Sequence, residues 1–334
     1  MIRGRHVRMA ARYVAHRFQE VHPYEAQALL LNACDLKCVY CRCPEIRTKL
    51  MTTEQWRTVI RGLGLLGTLR IKFQGGEPTL RADFRELCGE AQRAGIVTAV
   101  VTHGGKIAAR PDLLEHLDEI VVSLDSPTPA RHDLLRGAGT HAGALQAIDL
   151  ARARGLRTYV VMVVCRENYS DLEAMLEFCE RRGVPLHAQP VLFGRDPFDD
   201  GARHLALTEE QTRTMHRRLV EWKRQGRALL FSGSTYQKVA GWPDHEVLTV
   251  RSQGESTCMA GRFYVHIEAN GDVWPCGQHG ANFVPKNVIE HGLMEALRHV
   301  RHHDCGDCFT AYLNERKAVF GLRPAALYEM ARRG

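Results

Sequence analysis

Leu31-Asn32-Ala33-Cys34-Asp35-Leu36-Lys37-Cys38-Val39-Tyr40-Cys41 is the stretch on which the reading of this chain turns. It overlaps an apolar run at 28–32 with the length and composition of a buried strand. Three cysteines, separated by three residues and then two, leave the end of that strand on a loop. In an α/β barrel, the C-terminal ends of the strands are where the chemistry is placed. A tight loop can turn three thiolates onto one face of an iron–sulfur cubane, whose irons favour sulfur. Three protein ligands for four irons leave one iron open to a substrate or cofactor, as a catalytic zinc keeps one position open. The alternative is a structural zinc with Cys43 as fourth ligand, although Cys41-x-Cys43 is a cramped pairing for zinc.

Outward from this loop, apolar runs recur at 69–73, 96–102, 120–125, 158–164 and 185–190. They read as nearly continuous in apolar residues, as strands buried on both faces should be. Helical segments lie between them, two of them opened by the capping boxes Thr52-x-x-Gln55 and Ser170-x-x-Glu173. Six strand–helix units predict an α/β fold, a partial (β/α)6 TIM-like barrel over 26–192. A basic helical segment with Arg3, Arg5, Arg8, Arg12 and Arg17 precedes it at 1–25. A linker and helix follow at 193–256, where Thr208-x-x-Gln211 caps a helix running to about Gly226. Within 257–334, Phe263, Val265 and Ile267 alternate, and Asn270-Gly271 then signals a hairpin. This predicts a small β-hairpin unit with helices after it, bearing Cys258, Cys276, Cys305 and Cys308.

The length of 334 residues suits two domains at roughly 150 residues each. With 45% hydrophobic and 25% charged residues, the chain is not disordered, collagenous or a coiled coil. No apolar run approaches the roughly 18 residues of a membrane span, and no secretory signal opens the chain. A cytoplasmic location is therefore expected. Eleven cysteines, clustered and odd in number, point to metal or catalysis in a reducing compartment. Cys88, Cys165 and Cys179 stand alone in apolar patterns and read as buried hydrophobes. The net charge of +7 rests on 37 Arg against 8 Lys and comes with no RNA-binding module, so a nucleic-acid partner is not expected. His299, His302 and His303 read as a solvent-facing run, Trp222 and Trp242 as locally packed, and 196–200 as a lid over the barrel mouth.

Cys34-x3-Cys38-x2-Cys41, with Tyr40 before the last cysteine, resembles the signature of the radical S-adenosylmethionine enzymes. Further segments agree, each at the end of a successive strand. Gln74-Gly75-Gly76-Glu77-Pro78 resembles the GGEP motif, which in that family binds the methionine amino group of S-adenosylmethionine with Glu77 as a nearby acceptor. Thr102-His103-Gly104 stands where relatives often have Thr-Asn-Gly, so His103 is a departure. By similarity, Ser123 and Arg136 would hold the methionine carboxylate, and Asp125 would face the ribose or the substrate.

The later cysteines, on their chemistry alone, fit structural zinc and an iron–sulfur cluster equally. Cys258…Gly271-x4-Cys276, closed by Cys305-x2-Cys308, resembles the SPASM and twitch extensions that carry auxiliary [4Fe–4S] clusters in the same family. Four cysteines suit the shorter twitch form with one auxiliary cluster, zinc being the alternative. Four ligands would leave no open iron there. That favours electron transfer or support, and an electron acceptor suits an oxidative reaction.

The resemblance implies an enzyme that, reduced by an external donor of flavodoxin or ferredoxin type, cleaves S-adenosylmethionine to a 5′-deoxyadenosyl radical. The radical abstracts hydrogen from a carbon of an organic substrate, for dehydrogenation or bond formation. His103, Asp125 and Glu77 are candidate bases by rim position alone. Only 33 residues precede Cys34, too few for the leader-binding module common in peptide maturases. The expectation is therefore a small-molecule or lipid-linked substrate, with a peptide-modifying enzyme as the alternative and a non-catalytic zinc protein as the third. No cobalamin-binding region is fused to the barrel. Anaerobic reconstitution is expected to give about eight irons per chain, two four-iron clusters; about four irons with one zinc would make the C-terminal site structural.

Overall fold

The computed structural model describes residues 11–15, 18–192, 200–251, 258–278 and 283–333. Six strands alternate with helices: β1 (Glu25–Leu29), β2 (Arg70–Gln74), β3 (Val97–Thr102), β4 (Glu119–Ser123), β5 (Arg157–Val164) and β6 (Leu186–Pro190). Each pairs in parallel with the next. The C-terminal part adds β7 (Thr249–Arg251), β8 (Tyr264–Ile267), β9 (Asp272–Trp274), β10 (Lys286–Asn287) and β11 (Cys305–Cys308). The main sheet runs β10-β9-β8-β1-β2-β3-β4-β5-β6, and β11 pairs separately with β7.

The hairpin forms where Asn270-Gly271 predicts it, with β8 and β9 antiparallel and Gly271 at φ +97°. It is not a unit apart from the barrel. β8 pairs in parallel with β1, Glu25 opposite Tyr264 and Ala28 opposite Ile267, so one sheet joins the two regions.

The strands are not apolar on both faces. Ile71, Phe73, Val100, Ile120, Val122 and Val160 turn outward into the main core, where the helices supply Trp56, Ile60, Leu63, Phe84 and Leu176. The alternate residues line a cavity inside the curved sheet: Glu25 and Gln27, Arg70, Lys72 and Gln74, Glu119, Arg157 and Tyr159. This explains why β1 begins at Glu25 rather than within 28–32. A search for apolar runs passes over a strand whose inward half is charged. The charges are paired, Arg70 with Glu25 at 2.9 Å and Glu119 at 2.7 Å, Arg316 with Glu25 at 2.6 Å and Arg157 with Glu119 at 2.5 Å.

Thr52 with Gln55 and Thr208 with Gln211 form complete capping boxes on helices Thr53–Leu65 and Glu209–Arg224. The box predicted at Ser170 is absent. Helix Leu172–Arg181 follows a 3-10 turn, Tyr169–Asp171, with no side-chain cap. There Asp171 instead accepts a hydrogen bond from Ser126 at 2.6 Å, and Asn168 holds the turn by donating to the carbonyls of Asp125 and Val163. Cys88, Cys165 and Cys179 are fully buried, and Trp222 and Trp242 lie in the main core. Arg12 docks the N-terminal segment by donating to the carbonyls of Gly64 and Gly95, each at 2.7 Å. Arg3, Arg5, Arg8, Arg17 and the 196–199 part of the expected lid lie outside the described residues. Among the described residues no helix is long and apolar enough to cross a membrane.

Because β8 belongs to the main sheet, I267A, at a fully buried position, is expected to cost about 3 kcal/mol in urea unfolding. The loss should appear in one cooperative transition. Two separated transitions, with only one displaced, would show the hairpin region to be an independent body.

Candidate active site

The rim is built by two backbones pressed together. Beyond β1, the segment Leu31-Asn32-Ala33 lies against Gly75-Gly76-Glu77 beyond β2. Gly76 N–H donates to Leu31 O at 2.8 Å, and Glu77 N–H to Ala33 O at 2.9 Å. A Cβ on Gly76 would lie 2.2 Å from Ala33 O and 2.3 Å from Asn32 O. Glycine is therefore required by the approach of the chains, in addition to any access it gives to a ligand. The contact fixes where the Cys34 loop starts. Its other end is tied by Val39 N–H to Leu135 O at 3.0 Å.

Cys34, Cys38 and Cys41 all line the cavity, whose volume is about 620 Å³. Burial pushes the Cys34 thiol up to about 12 and raises those of Cys38 and Cys41, with Arg136 acting the other way on the last two. Three partly buried soft donors on one cavity wall, next to a glycine cradle that a Cβ would fill, fit an iron–sulfur cluster with one open iron. Cys43 is buried nearby and contacts the Asn32 amide at 3.9 Å.

Gln74, Gly75, Gly76, Ser123, Tyr40 and Arg136 line the same cavity, as the sequence predicts. Glu77 and Asp125 are placed otherwise. Both are fully buried and do not line it. Glu77 accepts hydrogen bonds from Thr79 Oγ1 (2.5 Å), Thr102 Oγ1 (2.9 Å) and His103 N–H (3.0 Å). It is a brace between the loops after β2 and β3. Asp125 takes the Arg136 fork at 2.7 and 3.2 Å, the Val163 N–H at 2.9 Å and a short hydrogen bond from the Tyr40 hydroxyl. It is held away from the cavity surface. Its role is to orient Arg136 and, through Tyr40, the cysteine loop. Arg136 Nη1 is left without a partner among the described residues, open to a carboxylate.

His103 also acquires a physical role. Its Nδ1 accepts from Gly105 N–H at 3.1 Å, so Nε2 carries the proton and donates to Asp35 at 2.8 Å. It thereby pins the cysteine loop to β3. Among the described residues, Cys34, Asp35 and His103 bring one ligand atom each within 4.8 Å of one another.

The second cysteine set gathers at the opposite end of the barrel. β8 begins at Tyr264, opposite Glu25, whereas the first set follows the far end of β1. Along β1 alone this separates the sets by about 13 Å. Cys276 and Cys308 pack with Tyr264, Tyr24 and Phe320 in a hydrophobic cluster, with Cys258 against it. The Tyr264 hydroxyl lies 3.4 Å from Cys258 Sγ. A hydrogen bond from Cys305 lowers the Cys258 thiol to about 5 and raises that of Cys305. Cys276 and Cys308 also lie near enough to raise the Cys305 thiol, so the four cysteines are neighbours. His303 is buried rather than solvent-facing: Nε2 contacts Ala260 O at 2.8 Å, and Nδ1 accepts from Cys305 N–H at 3.2 Å.

Sequence reasoning missed the polar lower part of the cavity, formed by Glu25, Arg70, Lys72, Glu119, His187 and Arg316. The signal was present as polar residues at every second position of 25–27 and 70–74. For the rim, G76A is expected to displace the Cys34 loop and weaken S-adenosylmethionine binding by about ten-fold or more in anaerobic calorimetry, about 1.4 kcal/mol or more. Wild-type affinity would contradict the close approach.

The family model described as the radical SAM superfamily matches residues 29–179. Among curated proteins, the chain is similar to the mycofactocin maturase MftC of Mycolicibacterium smegmatis, 28% identical over 257 residues, which are 74% of this chain and 62% of the maturase. It is also similar to a PqqA peptide cyclase of Ruegeria pomeroyi, 29% identical over 301 residues, 87% of this chain and 76% of the cyclase. The chain thus spans less than two thirds of the maturase. Streptococcus suis SuiB bound to precursor peptide SuiA superposes with a TM-score of 0.63 at 19% identity, over 92% of this chain and 76% of SuiB. For anSMEcpe with bound AdoMet the TM-score is 0.62 at 14% identity, over 92% and 98% of the two chains. At these identities the structural likeness is one of fold. The matched span starts at the last residue of β1 and takes in the Cys34 loop, the glycine turn and Arg136: this stretch of the chain, residues 29–179, is a radical SAM superfamily domain.

Proposed function

We propose that this enzyme modifies a peptide. The observation that carries the reading is its similarity to MftC and the PqqA peptide cyclase along 74% and 87% of its length. The small-molecule or lipid-linked substrate expected from the short segment before Cys34 is less well supported than this alternative. The cavity, about 620 Å³, has room for side chains of a peptide beneath the rim.

Cys34, Cys38 and Cys41 would hold the cluster, with Gln74, Gly75, Gly76, Ser123 and Arg136 around S-adenosylmethionine. Together these groups supply a hydrogen-abstracting radical when an external flavodoxin- or ferredoxin-type donor provides an electron. The residues of the chain do the positioning. Asp125 sets the Arg136 guanidinium for a carboxylate, and His103 and Tyr40 hold the cysteine loop. Cys258, Cys276, Cys305 and Cys308 would hold an auxiliary [4Fe–4S] cluster of SPASM or twitch type, accepting the second electron of an oxidation. Eleven free thiols support a reducing compartment such as the cytoplasm.

The test uses reconstituted enzyme, S-adenosylmethionine, dithionite and synthetic peptides encoded by short reading frames beside its gene. One peptide is expected to lose two hydrogens in step with 5′-deoxyadenosine formation, read by mass spectrometry. If 5′-deoxyadenosine responds to sugars or lipid-linked compounds and to none of the peptides, the peptide reading is wrong.

A further inference from the structure

Lys72 is the surplus cation of the barrel interior. Arg70, Arg157 and Arg316 share the two carboxylates of Glu25 and Glu119 at 2.5 to 2.9 Å. Lys72 has no such partner among the described residues; its Nζ sits 3.6 Å above the ring of Tyr312. The side chain is nearly buried, at 8% exposure, yet it lines the cavity. A buried ammonium facing only a ring and fully engaged ion pairs is poorly compensated. Burial, with the charges of Arg70 and Arg316 added to it and those of Glu25 and Glu119 opposing, lowers its pKa to about 7.

A second group faces the same depth from across the barrel. His187 on β6 is buried, lines the cavity and has Nε2 without a hydrogen-bond partner. Burial, and then the Lys72 charge, lowers it to about 3, so the ring there is neutral. Lys72 lies two residues before Gln74 on β2, one inward-facing step and about 7 Å below the rim. The hollow between Lys72 and His187 therefore lies directly beneath the region read as the cofactor site.

We propose that Lys72 anchors the substrate by binding a carboxylate, with His187 as a second contact, and so fixes which carbon lies under the rim. Only the source of the carboxylate rests on the peptide reading: an acidic side chain or the C-terminal carboxyl of a peptide. A group bound here leaves the neighbouring carbons pointing towards Gln74 and the cysteine loop. Lys72 is in this sense a positioning residue.

The test is 13C NMR of holoenzyme with S-adenosylmethionine bound and ε-13C-lysine incorporated, its eight lysines giving few signals. The Lys72 signal is assigned by its loss in K72R. It is expected to titrate near 7 in the absence of substrate, and a bound carboxylate should raise that midpoint by about one unit or more. N-acetylglutamate α-amide offers only a side-chain carboxylate, N-acetylalanine only a terminal one, and N-acetylalaninamide neither. A rise with either acid and none with the amide supports the anchor, and the responding acid identifies the source. A midpoint unmoved by both acids, or moved equally by the amide, overturns it. Failure of every peptide in the mass assay would sink the peptide reading alone, because the carboxylate response does not depend on turnover.

Discussion

The approach of Gly76 to Ala33 and Asn32 is the contact on which the rest of the site depends. Two parallel strands bring their C-terminal ends side by side, but their loops diverge unless something holds them. Here a pair of backbone hydrogen bonds does so at a separation that excludes a Cβ. From that fixed point the cysteine loop is held by a hydrogen bond to the end of helix Pro129–Arg136, by His103 through Asp35, and by Tyr40 through Asp125. Two buried carboxylates, Glu77 and Asp125, carry most of this bracing. Each satisfies several donors that would otherwise be stranded away from water. The rim is preorganised by acids that do not themselves line the cavity.

Below the rim the barrel is neither an apolar core nor an open channel. Its inward residues form a band of ion pairs, with Lys72 and His187 left facing the hollow. Such groups are costly in a structure that gains nothing from them. Their placement beneath the expected cofactor site ties the cost to substrate recognition. Of the second cysteine set, beyond the lower end of β1, Cys276 and Cys308 pack among Tyr24, Tyr264 and Phe320, with Cys258 against them. The two cysteine sets thus lie towards opposite ends of β1.

Much of this was legible in the sequence, for identifiable reasons. Cysteine spacing, the glycine pair, Arg136 and the Asn270-Gly271 hairpin are local signals, and each appears where the sequence puts it. What the sequence concealed depends on packing at a distance. Glu77 and Asp125 look like free rim carboxylates until Thr102, His103, Arg136 and Tyr40 are brought to them from other parts of the chain. The start of β1 was obscured because Glu25 and Gln27 face a polar interior, and an apolar pattern cannot report such a strand. The pairing of β8 with β1, more than 200 residues apart in sequence, has no local signature. Ser170 looked like a cap, but Asn168 and Asp171 had already been recruited to tie that turn to β4 and β5.

The most direct measurement is 5′-deoxyadenosine formation from S-adenosylmethionine by the reduced, reconstituted wild type and by the C34A/C38A/C41A variant. Activity in the wild type is expected, with none in the variant even though its C-terminal cysteines still retain about four irons. Cleavage that survives in the variant would contradict the assignment of the open-iron cluster to the Cys34 loop.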